Sequence, residues 1–137
     1  MVVEPAVEMS YGPVGALEPP EVHGVMKLVI GIIKPFKLNN VQNALHALGV
    51  TGLTVYEAKG HGHQRGRSDI YGSVEYEAEF IPKLRIEVVV PDNMVNFAVQ
   101  ALLESARTGQ SGDGRVIVQS VDQFVKIKTG ERDKKAL

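Results

Sequence analysis

The chain contains no cysteine. That excludes disulfides, thiolate zinc sites and cysteine nucleophiles. No apolar run approaches the ~18 residues of a membrane span, so the reading is of a soluble chain, with the cytoplasm as its compartment. No Lys or Arg occurs in residues 1–25, which removes both the basic start of a secretory signal and the arginines of a transit peptide. The GxxxxGK(S/T) phosphate loop is absent. No nucleophile stands beside a paired base, which argues against hydrolytic chemistry.

What remains is an ordinary globular composition, 44% hydrophobic and 23% charged over 137 residues. That length suits one domain with one core. Charge is unevenly placed. Glu4, Glu8, Glu18 and Glu21 lie in the first 25 residues, leaving 15 basic and 12 acidic residues beyond them. So mild an excess fits a local anion site better than a nucleic-acid surface. Four of the seven prolines, at 5, 13, 19 and 20, also fall in this stretch. Residues 1–25 therefore read as a flexible tail and residues 26–137 as the domain.

"KLVIGII" (27–33) reads as a buried strand closed by Pro35. The next segment, 37–49, sets Leu38, Val41, Ala44, Leu45 and Leu48 on one helical face and stops at Gly49. Strands follow at 53–59 and 83–90, the latter stopped by Pro91. Asp92 is the expected N-cap of a helix running to about Arg107, with Val95, Val99, Leu102 and Ala106 inward. A fourth strand spans 115–121 and a short fifth segment 124–128. Two such halves, each a proline-stopped strand, a helix and a strand, predict an α+β fold. It is a ferredoxin-like βαββαβ sandwich with a long loop between strands 2 and 3. In the first strand Leu28, Ile30 and Ile32 face opposite to Val29 and Ile33. Helices cover one face of such a sheet, so the second apolar face predicts self-association.

Two polar glycine-rich stretches carry the candidate chemistry. In "TGQSGDGR" (108–115), Gly109, Gly112 and Gly114 allow positive φ, so successive N–H groups can converge on an anion beside Arg115. Lys126 and Lys128 alternate on the last segment and could reach the same place. The same residues also fit a helix C-cap followed by a tight turn. "KGHGHQRG" (59–66) holds His61 and His63 at a spacing that can bind metal, without a clear third ligand. The long connection from 60 to 82 displays Tyr71 and Tyr76 and acids at 69, 75, 77 and 79. An arm of this kind is a candidate partner-binding element.

Taken in order, "IIKPFKLNNVQNAL", "TGLTVYEAKGHGHQRG", "EYEAEFIPKLRIEVVVPD", "ARTGQSGDGRVIV" and "VKIKTGE" resemble the PII signal-transduction family of nitrogen regulators. The resemblance runs from Met26 to about Arg132. It implies a non-enzymatic homotrimer with ATP or ADP in clefts between subunits, lined by both glycine loops. Matching positions place Ile32, Thr54, Gly60 and Thr108 near the adenosine. Gly112, Asp113, Gly114, Arg115, Lys126 and Lys128 fall at the phosphates, and Gly62 and His63 line the same nucleotide site. Gln64 matches the residue coordinating Mg2+ with ATP and the effector 2-oxoglutarate. Arg65, Gly66 and Lys83 complete the 2-oxoglutarate site, with Lys83 pairing the distal carboxylate.

The resemblance further implies that residues 62–82 form a T-loop. Through it the protein regulates a target: an ammonium transporter, a nitrogen-metabolism enzyme or a regulator. Tyr76 matches the tyrosine modified in many relatives. There are departures. Gln110 stands for a lysine, His63 for an arginine, Lys126 and Lys128 for arginines, and Gly72 for the arginine used in transporter blockade. They bear on ATP-versus-ADP preference and on the choice of target. Two other readings stay open: an arm repurposed to a metal through His61 and His63 or to energy sensing alone, and a small ferredoxin-like phosphoryl hydrolase.

Overall fold

The structure, a computed structural model, describes residues 26–61 and 80–137. Strand β1 (Met26–Ile33) is followed by α1 (Leu38–Ala47), β2 (Thr54–Gly60), β3 (Ile81–Pro91), α2 (Val95–Ala106) and β4 (Arg115–Ser120). The sheet order is β2-β3-β1-β4. Every neighbouring pair is antiparallel, as in a ferredoxin-like sandwich. The two halves share a local device. Each first strand meets a proline, turns through one 3-10 turn (Pro35–Lys37 or Asp92–Met94) and enters its helix. Proline suits this point because it has no N–H to offer a continuing strand and its fixed φ starts a helical turn.

Gly31 identifies the helix-covered face. A Cβ at Gly31 would meet the Leu102 side chain of α2 at 3.1 Å. Odd residues of β1 therefore face the helices, and their register partners on β3 share that face: Val29 with Val88, Gly31 with Ile86. Val41 and Leu45 of α1 and Ala98, Leu102 and Ala106 of α2 complete this core. Gly49, at φ +90°, supplies the left-handed residue that ends α1 and sends the chain back to β2.

The opposite face is mixed. Ile30 is 2% exposed there, between register partners Glu87 and Ile117. Toward β2 the same face carries Arg85, which pairs with Glu87 at 2.8 Å and lies 6.0 Å from the centre of the Tyr56 ring. Tyr56 is about half exposed and Ile117 40% exposed.

One local expectation is corrected. Asp92 does not cap α2: a 3-10 turn intervenes, no side-chain cap bond forms, and the Asp92 carboxylate instead lies 3.5 Å from Lys27 Nζ. Residues 124–128 add no strand to the sheet. They fold into a hairpin in which the Lys126 N–H donates to Glu131 O, the Gly130 N–H to Lys126 O and the Asp133 N–H to Phe124 O. Ile127 at its tip is fully exposed.

Candidate functional site

The antiparallel pairing gathers the ends of β1 and β2 and the starts of β3 and β4 at one edge of the sheet. A cleft of about 730 Å³ opens there, lined by Ile32, Lys34, Phe36, Gly60, His61, Lys83 and the loop Ser111–Arg115. That is the scale of a small-molecule site.

The loop is built outward from the end of α2. Gly114 lies directly against β1 at φ +106°, and a Cβ there would overlap the carbonyl oxygen of Ile32. Glycine is thus the residue that lets the loop close onto the strand. Asp113 then organises the turn from within. Its Oδ2 accepts the Thr108 N–H at 2.9 Å and the Gly109 N–H at 2.8 Å. Its Oδ1 accepts the Thr108 hydroxyl. Lys34 Nζ lies 3.2 Å from Asp113 Oδ1 and donates to Thr108 Oγ1 at 3.1 Å. These bonds, led by the Thr108 hydroxyl, hold the Asp113 carboxyl well below the usual carboxylate range, against a smaller opposing effect of burial.

With Asp113 turned inward, the rim of the cleft is cationic. Lys83 Nζ donates to Gly112 O. Burial lowers its pKa, Lys34 nearby lowers it further, and Asp113 partly offsets both. The backbone N–H groups of Ser111, Gly112 and Asp113 find no partner among the described residues. Positive φ at Gly109 and Gly112 allows this turn to form an anion-binding concavity beside Lys83 and Arg115, with Lys34 paired to Asp113.

Of the residues expected at a nucleotide or effector site, the cleft brings together Ile32, Gly60, Lys83, Gly112, Asp113, Gly114 and Arg115. Thr108 joins them through Asp113. Thr54, Lys126 and Lys128 do not line it. Thr54 begins β2, six residues from Gly60, and the Lys126 hairpin follows Ser120, which pairs with Lys27 at the far end of β1. The single chain therefore does not join the two lysines to the glycine loop. Gly62, His63, Gln64, Arg65, Gly66 and Tyr76 lie outside the described residues. At the base of that connection Gly60 pairs with Ile81, and His61 lies 5.7 Å from Phe80, ring to ring.

Sequence reading missed Lys34 and Phe36. Lys34 was legible only as a lone cation between a buried strand and a proline; the fold is what sets it against Asp113. Phe36, 71% exposed at the cleft, looked like part of the helix start. Among the described residues no helix is long and apolar enough to cross a membrane.

Comparison with known proteins gives a consistent result. The family described as nitrogen regulatory protein P-II matches residues 26–131. The nitrogen regulatory protein P-II of Rhizobium etli is 53% identical over 112 residues, 82% of this chain and all of that one. Nitrogen regulatory protein P-II 1 of Escherichia coli (strain K12) is 46% identical over the same length and coverage. Among solved structures, Arabidopsis thaliana PII bound to citrate superposes with a TM-score of 0.69 at 30% identity, covering 83% of this chain and 94% of that one.

Proposed function

Since this chain belongs to the nitrogen regulatory protein P-II family of signal transducers, we propose that it senses ATP and ADP, with Mg2+, and 2-oxoglutarate. It then passes that state to a target protein through the 62–82 arm. The observation that carries the reading is the loop 108–115. It is fastened to the end of β1 by Gly114, carries N–H groups without partners among the described residues, and with Arg115 lines a cleft that also holds Lys83. Phosphates suit the loop, since convergent N–H groups and fixed cations favour anions. A dicarboxylate suits Lys83, which acts as a point charge. The citrate on the Arabidopsis relative is a carboxylate ligand of comparable chemistry.

The site is completed by a neighbouring subunit of a homotrimer. Thr54, at the start of β2, and Lys126 and Lys128, in the hairpin beyond β4, do not line this cleft. A second copy set against this cleft would supply them to the adenosine and phosphates. The partly exposed Tyr56 and Ile117 would be covered in the same assembly. Gln64 in this reading holds Mg2+ with ATP, and Arg65 and Gly66 hold the effector. Tyr76 is the candidate modification site. The paired base of the arm at Gly60 and Ile81 lies on the cleft wall, so a ligand there is placed to reorder the arm. The targets are a nitrogen-metabolism enzyme, a regulator or an ammonium transporter. The protein works in the cytoplasm without turnover of its own, and the sensing domain spans residues 26–137.

Calorimetric titration of ATP and ADP in magnesium, with wild type and Arg115→Ala, tests this reading. Saturable binding of both nucleotides, weakened at least about tenfold by the substitution, is the expected result. Wild type that binds neither would refute it.

A further inference from the structure

Asp113 poses a chemical difficulty for an anion site. It sits within the loop that faces the phosphates, and a carboxylate there repels them. The geometry resolves this in one way. Both carboxylate oxygens turn inward to Thr108 and Gly109, and Lys34 reaches across from the end of β1 to within 3.2 Å of Oδ1. Lys34 also donates to Thr108 Oγ1, whose own proton goes to Asp113. Three groups from two distant stretches of chain thus close a single charge-neutral ring beneath the loop.

We propose that Lys34 is a positioning and specificity-determining residue. Its ammonium neutralises Asp113 and braces loop 108–115, so that the loop's preference for the more highly charged nucleotide depends on it. The proposal rests on the nucleotide reading above. Lys34 is well placed for a role beneath the phosphates. Its side chain is 19% exposed, and Lys83, which could otherwise compete for Asp113, donates to Gly112 O instead. Removing the Lys34 charge while keeping its length, as in Lys34→Met, leaves Asp113 as an uncompensated negative charge under the phosphate site. Repulsion then grows with each charge on the ligand, so ATP suffers more than ADP. A brace acting only through shape would weaken both alike.

The experiment is a charge cycle read by calorimetry with Mg-ATP and Mg-ADP. Lys34→Met is expected to lose about tenfold in ATP affinity and about threefold in ADP affinity. Lys34→Arg keeps the wild-type ratio. Adding Asp113→Asn to Lys34→Met restores the ratio, because the repelling charge is gone. Equal losses for both nucleotides, or no restoration by Asp113→Asn, would overturn the proposal. Amide hydrogen exchange at Thr108 and Gly109 in the ligand-free protein reads the brace by itself. Faster exchange in Lys34→Met supports it, and unchanged exchange overturns it. If wild type binds neither nucleotide, the functional reading fails and the selectivity claim fails with it, while the exchange result still decides whether the brace exists.

Discussion

A Cβ built on Gly114 would lie 2.8 Å from the carbonyl carbon of Ile32 and closer still to its oxygen. This one approach fixes where the loop joins the sheet, and the cleft exists because of it. Gly114→Ala must therefore both accommodate φ +106° and push the strand away. The expected cost is at least about 2 kcal/mol, with loss of nucleotide binding. Thermal unfolding and calorimetry on the same sample check it, and a variant unchanged in both would show that the approach is dispensable.

Asp113 should make stability depend on pH in a defined direction. Its folded pKa lies below the unfolded value of 3.8. The stabilisation is then fully present above that value and lost as pH falls from it toward the folded pKa. Denaturant midpoints of wild type and Asp113→Asn should differ more at pH 7 than at pH 3. A gap that stays constant or widens on acidification contradicts the bonding described for this carboxylate.

Leu102 is 1% exposed and packs over the missing side chain of Gly31. Leu102→Ala should cost about 3 kcal/mol through lost burial and the cavity left behind. Urea unfolding with an unchanged slope and a lower midpoint is the expected signature. Because Leu102 sits in the core and does not line the cleft, nucleotide affinity should fall less than stability does.

Ile117 lies on the sheet face away from the helices, beside Ile30. In the proposed trimer that face is covered, and a charge there cannot be solvated. Sedimentation should give three times the 14.9 kDa chain mass for wild type and a smaller species for Ile117→Asp. Trimers of unchanged stability in the variant would place the interface elsewhere.

The sequence made the architecture readable where periodicity and punctuation coincide. Val41 and Leu45 announced α1, Gly49 its end, and Pro35 and Pro91 the ends of two strands. It misled where a residue's preference had a local competitor. Asp92 is a good cap in isolation, but a 3-10 turn follows Pro91 and Lys27 attracts the carboxylate. The glycines of the site were visible because positive φ has a residue signature. Lys34 was not, because a lysine's partner across 79 residues of chain is set by topology alone.

The most direct test is titration of 2-oxoglutarate into the protein with and without saturating Mg-ATP. Coupled sensing predicts binding only when Mg-ATP is present, and its loss in Lys83→Met. Equal binding with and without nucleotide, or none under either condition, would contradict coupled sensing at this cleft.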